Sequence, residues 1–221
     1  MKTLLLGASG VIGQAIKNKL SQKGYEVIAP SRLEINLKHL DEINGWINKN
    51  NKFQVIIYCA GFNKPEYIED VDLDNFKTTQ NVNINSFYKI IQLLMSDLKQ
   101  FDKSYVLGIS SLFGTVSKEK RSAYAMSKHS MNGFIQTLAL EGGKYNIIAN
   151  TLSPGFIDTK MTRQNNNEID IELLKSKIPL GRLGTPEDIA NLAYFLCSDQ
   201  NTYITGQNII CDGGISAGGI I

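Results

Sequence analysis

The chain has 221 residues, 43% hydrophobic and 20% charged, which is enough apolar matter for one globular domain with a real core. A formal net charge of +2 excludes nucleic acid or an anionic membrane as a charge-driven main partner. Three widely spaced cysteines without a CxxC pair (Cys59, Cys197, Cys211) and two histidines (His39, His129) exclude a disulfide framework and a metal centre, and suit a reducing compartment.

The opening MKTLLLGASG is too short an apolar run for a secretory leader, and no stretch approaches the ~20 apolar residues of a membrane span. A single cytoplasmic domain over residues 1–221 is expected.

The first predicted element is an apolar strand at 3–6, followed by helical periodicity over 11–20. GASGVIG sets Gly7, Gly10 and Gly13 at their junction. A phosphate reaches the backbone N–H groups of a helix N-terminus only where side chains are missing. Gly7 then permits the tight turn, Gly10 admits a pyrophosphate and Gly13 lets the helix pack on the sheet, with Ser9, Val11 and Ile12 in the same turn. A plain loop would also use glycines; the strand before and the helix after favour a dinucleotide site.

A second strand at 25–29 ends in Ala29-Pro30-Ser31-Arg32. NAD-preferring sites carry a carboxylate here for the ribose hydroxyls. Ser31 offers none, whereas the Arg32 guanidinium can grip a 2′-phosphate, so NADP is expected over NAD, with a solvated arginine as the alternative. A helix at 40–49 and a strand at 54–59 follow. The helix predicted at 81–98 carries Asn83, whose amide either holds a proton-relaying water or is an ordinary solvated polar group.

The strand at 105–110 leads into Ser111. Strand alternation points Ser110 to the opposite face, so only Ser111 can donate to a substrate oxygen as negative charge develops on it. On the helix at 123–141, SAYAMSKHSMNGF places Tyr124 and Lys128 one turn apart on one face. A phenol has a pKa of about 10, and an adjacent ammonium is expected to lower it and make proton exchange with an alcohol or ketone practicable. Such a pair also arises by accident, so its weight comes from Ser111 and the glycine turn.

A strand at 147–152, a polar Asn-rich stretch at 159–177, a helix at 186–196 and a strand at 208–211 complete the chain. The polar stretch reads equally as a substrate lid or a surface loop. Near-continuously apolar strands alternating with helices imply a doubly wound α/β domain around a parallel sheet.

Together these motifs resemble the short-chain dehydrogenase/reductase family, classical type, over nearly the whole chain. GASGVIG is similar to the family's cofactor turn, and YCAG, with Cys59, Ala60 and Gly61, to the motif lining the adenosine side. VNI at 82–84 resembles the helix bearing the catalytic asparagine, ISSLFG the strand bearing the serine, and YAMSK the signature helix. SPGFIDT resembles the turn around the nicotinamide, and GRLGTPEDIA and ITGQNIICDGG the last helix and strand.

The resemblance implies a Rossmann fold with Tyr124 as acid/base, Lys128 as its electrostatic partner and ribose ligand, Ser111 as oxygen orienter and Asn83 as relay anchor. It places Pro154, Gly155, Ile157 and Thr159 around the nicotinamide. It further implies NADPH-dependent reduction of a small carbonyl substrate, carrier-bound in the 3-oxoacyl reductases, and a homodimer or homotetramer packed through the helices at 81–98 and 123–141. A sugar or nucleotide-sugar dehydrogenase is the alternative, because the lid is polar. A non-catalytic dinucleotide sensor is a third reading, which the intact Ser111, Tyr124 and Lys128 disfavour.

Three departures stand out. Gly10 is the third residue after Gly7, a spacing of the family's extended members. Cys59 replaces an asparagine, and is read as a small packed thiol rather than a reactive one. The stretch 32–53 is short, which leaves Asn36 and Leu37 to serve the adenine pocket.

Overall fold

The computed structural model describes residues 1–159, 162 and 168–218. Its centre is one six-stranded parallel sheet: β1 (Lys2–Leu6), β2 (Glu26–Ile28), β3 (Val55–Tyr58), β4 (Ser104–Ile109), β5 (Ile147–Pro154) and β6 (Asn208–Cys211), in the order β2-β1-β3-β4-β5-β6. The apolar strand residues alternate between two cores, as a period of two requires. Leu4, Leu6, Ile56, Tyr58 and Val106 face one layer of helices, and Leu5, Val55, Ile57, Tyr105 and Leu107 face the other.

The first layer contains α2 (Leu40–Lys49), α4 (Ser86–Leu98) and α5 (Ser122–Gly142), which bury Ile43, Ile90, Leu94, Met131 and Ile135 against the sheet. The second contains α1 (Val11–Gln22) and α7 (Pro186–Leu196), which bury Ile16, Leu20, Ile189 and Ala193. Full burial of one such side chain contributes about 1.5–3 kcal/mol. This is the doubly wound α/β architecture expected from the strand and helix alternation.

Several local expectations change. In the doubly wound order 3-2-1-4-5-6 a further strand lies outside β2. Here residues 29–39 form turns and run directly into α2, so the sheet ends at β2, which is how the short 32–53 stretch is accommodated. Tyr25 lies outside the strand, its hydroxyl donating to the Cys197 carbonyl at 3.0 Å.

The helix expected from residue 81 is preceded without a break by α3 (Leu73–Gln80), and a π turn at Asn81–Asn85 joins it to α4. The α3 sequence LDNFKTTQ has almost no apolar periodicity, but Asp72 caps it by accepting from the Asp74 backbone N–H at 3.2 Å. The stretch expected as a polar lid or loop contains a helix, α6 (Glu168–Lys177). Residues 160, 161 and 163–167 of that stretch lie outside the described residues. Ile171 and Leu174 of α6 pack on Phe156, Ile178, Leu183 and Ile215, a small core apart from the two main layers.

Candidate active site

The chain runs from β1 outward to β2 and then crosses to β3 on the other side. In open α/β sheets ligands bind at the strand carboxyl ends where the order reverses in this way. Here that point is the crevice between the ends of β1 and β3.

Gly7 closes β1 with φ at +86°, and a Cβ there would lie 2.5 Å from the Ala60 nitrogen at the end of β3. A Cβ on Gly13 would collide with the Gly7 carbonyl, so Gly13 is required by the turn's own packing. Gly10 differs. It is exposed, and a Cβ would find only the Gly7 oxygen, at 3.6 Å. The protein itself has no need of glycine there.

The helix that starts after Gly10 has no side-chain cap and no acidic residue in its first turn, which leaves donor N–H groups at Val11 and Ile12. Ser9 beside them is exposed.

At the end of β2, Arg32 is exposed. The carboxylate that Ser31 lacks is supplied by Glu34, which accepts from the Ser31 backbone N–H at 2.8 Å and from its hydroxyl at 2.9 Å. These two hydrogen bonds hold the Glu34 carboxyl below its ordinary range. Position 31 itself carries no carboxylate, as expected, but the turn folds the Glu34 carboxylate back onto it. Asn36 uses its amide oxygen to accept from the Lys38 backbone N–H at 3.2 Å, and Leu37 packs against the first core.

Beyond β3, Cys59, Ala60 and Gly61 lead to Phe62. Burial pushes the Cys59 thiol up to about 11, against a smaller opposing effect of Lys128, so it is a packed thiol and not a thiolate. Asn83 is fully buried in the π turn. Its amide oxygen accepts from Phe62 N–H at 2.7 Å, and its amide nitrogen donates to the Phe62 carbonyl at 3.0 Å and to Ser127 Oγ at 2.8 Å. Both amide hydrogens are thus spent on bracing the β3 loop against α5, and at most an oxygen lone pair is left for a water.

Tyr58, stacked on Phe87, holds the same π turn from below. Its hydroxyl donates to the Val82 carbonyl at 2.6 Å and meets Ser86 Oγ at 2.5 Å. No feature of the motif pattern singled out this support. Its one sequence signal is an aromatic residue carrying a polar group at the end of an otherwise aliphatic strand.

Ser110 and Ser111 both follow the end of β4. Ser110 is buried and donates to the Lys128 carbonyl at 3.3 Å, whereas the Ser111 hydroxyl accepts from the Phe113 N–H at 3.1 Å. Lys128 is 3% exposed and donates from Nζ to the Ile109 carbonyl at 2.7 Å. The same nitrogen lies 5.7 Å from the Tyr124 ring centroid, and about 4.0 Å from where a Cβ on Gly61 would be. Ser111, Tyr124, Lys128 and the β3 end thus form one contiguous cluster beside the glycine turn.

Its electrostatics correct one expectation. The Tyr124 phenol is raised above its ordinary value, because burial outweighs the lowering by Ser111 and by Arg121. Lys128 lies over the Tyr124 ring, and is itself pulled down to about 8 by burial. The protonated phenol, not the phenolate, is the resting form at neutral pH.

At the end of β5, Gly155 N–H donates to Cys211 O at 3.0 Å, and a Cβ on it would strike Asp212. Ile157, buried and following Pro154 and Gly155, bridges to Gly184. Thr159 meets Thr162 hydroxyl to hydroxyl at 3.1 Å. Among the described residues no His/Cys/Asp/Glu group could hold a metal ion, and no helix is long and apolar enough to cross a membrane.

The family model described as Enoyl-(Acyl carrier protein) reductase matches residues 40–216. The 3-oxoacyl-[acyl-carrier-protein] reductase FabG of Chlamydia trachomatis serovar D is 31% identical over 212 residues, covering 95% of this chain and 85% of that protein. Among solved structures, 4-hydroxyisoleucine dehydrogenase complexed with NADH superposes with a TM-score of 0.89 at 28% identity, covering 98% of this chain and 99% of that one. The ligand-free aldohexose dehydrogenase of Thermoplasma acidophilum has a TM-score of 0.93 at 24% identity, covering 100% of this chain and 95% of that one; it shares the fold.

Proposed function

This chain belongs to the short-chain dehydrogenase/reductase family and is an NAD(P)-dependent oxidoreductase, and from that premise we propose that it reduces the ketone of a 3-oxoacyl thioester to the secondary alcohol, with NADPH supplying the hydride. The observation that carries the reading is the buried Lys128 ammonium, anchored on the Ile109 carbonyl at 2.7 Å and 5.7 Å from the centroid of the Tyr124 ring, whose phenol is protonated. Two O–H groups suit one carbonyl oxygen: Ser111 donates a hydrogen bond to it, and Tyr124 gives up its proton as negative charge develops. A phenol held above its ordinary pKa is the right form for that step.

The residues fit a dinucleotide. An unobstructed Gly10 beside free N–H groups at the start of α1 suits the pyrophosphate. Gly7 and Gly13, with Ser9, Val11 and Ile12, shape that turn. Ala60 and Gly61 flank the adenosine side, with Cys59 packed beneath and Asn36 and Leu37 at the far end. Lys128, with one N–H committed to Ile109, has two left for ribose hydroxyls. Pro154, Gly155, Ile157 and Thr159 border the nicotinamide end. Asn83 acts as a positioning residue, since its amide locks the loop after Gly61.

NADPH over NADH rests on Arg32, an exposed guanidinium able to take a 2′-phosphate. The Glu34 carboxylate favours a second reading, NADH, because it can accept ribose hydroxyls and repels a phosphate. The acyl substrate draws support from the lid at 159–177. Its described helix is not uniformly polar, with Ile171 and Leu174 turned inward and Ile169 and Leu173 exposed, which removes the ground for preferring a sugar. Exposed Tyr88, Met126 and Leu140 on α4 and α5 support packing of copies into a dimer or tetramer, and three free thiols suit the cytoplasm.

The test is Tyr124→Phe assayed with NADPH and an acetoacetyl thioester. Turnover should fall about 10²–10⁴-fold, while NADPH binding, read by fluorescence titration, stays within about threefold. Undiminished turnover would refute the mechanism.

A further inference from the structure

Ser111 and Tyr124 stand on different elements, one in the turn after β4 and the other on α5. Neither element by itself fixes how far apart the two hydroxyls lie. Ser111 heads a single turn over Leu112–Gly114, in which the Gly114 N–H donates to the Ser111 carbonyl at 2.8 Å and the Phe113 N–H to its hydroxyl oxygen at 3.1 Å. Accepting that bond ties the oxygen to the turn and leaves its one proton to donate elsewhere. Where the turn sits therefore decides where the serine donor points.

Asn132 lies on α5, four residues beyond Lys128 and eight beyond Tyr124, so the three follow one side of the helix. Its amide nitrogen donates to the Gly114 carbonyl at 2.9 Å. Its other polar atom, Oδ1, is enclosed and meets no protein donor, so the tie to Gly114 is what the side chain supplies. Gly114 is buried, and a Cβ there would lie 2.6 Å from Ser110 Oγ and 3.1 Å from both Asn132 Nδ2 and the Lys128 carbonyl oxygen. The turn thus rests on α5 with no side chain of its own between them. On the other side of the serine, Lys128 Nζ holds the Ile109 carbonyl at 2.7 Å. Ser111 is bracketed by two hydrogen bonds from the helix that carries Tyr124, one before it in the chain and one after.

We propose that Asn132 is a positioning residue for the reduction: it fixes the Ser111 hydroxyl relative to the Tyr124 phenol by tying the turn of one to the helix of the other. A donor displaced by about 1 Å loses much of its effect on a developing charge. The inference rests on the reading of Ser111 as a donor to the substrate oxygen.

The experiment is a double-mutant cycle on turnover with NADPH and an acetoacetyl thioester, using Asn132→Ala, Ser111→Ala and the two combined. Ser111→Ala should lower kcat about 10²–10³-fold. Asn132→Ala should lower it about tenfold and leave the KM for NADPH within about twofold. In the Ser111→Ala background the same change at Asn132 should alter kcat less than about twofold, because the group it places is gone. Asn132→Leu fills the space without a donor and should repeat the pattern. A loss of the same size in the Ser111→Ala background, or no loss in either Asn132 variant, would overturn the role of Asn132 and leave that of Ser111 standing. Failure of both Asn132 variants to fold would make the residue a stability element and overturn its role as well. Undiminished kcat in Ser111→Ala would overturn the reading of Ser111 itself.

Discussion

Replacing Lys128 with methionine should stabilise the protein at neutral pH while abolishing turnover. Lys128 is 3% exposed, and burial pulls its pKa from 10.5 to about 8. The unfolded chain keeps the proton up to its ordinary pKa, whereas the folded protein releases it above about 8. Between those limits the unfolded state binds more protons, so stability rises with pH across the window and the whole penalty is present below it. A displacement from 10.5 to about 8, at ~1.36 kcal/mol per pH unit, makes that penalty roughly 3 kcal/mol.

Methionine keeps the apolar stem and removes the charge, but it strips the Ile109 carbonyl of the donor now 2.7 Å away, at a cost of about 1–3 kcal/mol. The variant should therefore be about 1 kcal/mol more stable at pH 7 and about 2 kcal/mol less stable above pH 10.5, so that the two stability curves cross. Urea unfolding followed through the single tryptophan, Trp46, measures both curves, and titrations common to both proteins cancel in the difference. A difference that stays constant from pH 7 to pH 10.5 would refute the claim that the folded site holds a buried ammonium at a cost.

Two further substitutions separate the glycines of the first turn. Gly13→Ala forces a Cβ into the Gly7 carbonyl and should lower stability by about 1–3 kcal/mol in thermal melts. Gly10→Ala meets only one oxygen at 3.6 Å, so it should leave the melting temperature nearly unchanged and weaken dinucleotide binding about tenfold; an equal effect of the two on stability would contradict their separate roles. At the ribose corner, Glu34→Gln should shift the ratio of kcat/KM for NADPH over NADH upward several-fold, and Arg32→Ala should shift it downward about tenfold. Identical shifts in both variants would mean that neither group touches the 2′ position.

What the sequence disclosed and what it hid divide along a physical line. The strands and the helices with long apolar stripes were legible because burial imposes a period on them: the alternation of Leu4, Leu5 and Leu6 between two cores is readable without coordinates. α3 was hidden because it is polar and held by an N-cap and by continuity with the π turn, neither of which leaves a hydrophobic period. α6 was hidden for a related reason, since Ile171 and Leu174 turn inward while its other apolar residues, Ile169 and Leu173, are exposed and blur the period. The return of the Glu34 carboxylate to Ser31 was hidden because it runs through space, across a three-residue turn.

The reversed shift of Tyr124 shows how the site stores its charge. A spacing of four residues guarantees that Lys128 and Tyr124 share a helix face, but not that the ammonium meets the hydroxyl. Here the ammonium is drawn under the ring toward Ile109, and Arg121 is the cation that acts on the phenol. Cys59 acts on Lys128, Tyr124 on Arg121, and Ser111, Arg121 and Cys59 on Tyr124; no carboxylate is among them. Two cations withdrawn from water without a carboxylate beside them are unfavourable for folding alone, because each gives up hydration without an ion pair in return. They become favourable once negative charge arrives, on a dinucleotide or on the carbonyl oxygen as the bond to hydride forms. Neutralising either cation should therefore cost binding or turnover while relieving a burden on the empty fold, and the crossing stability curves of Lys128→Met would be the direct sign of it.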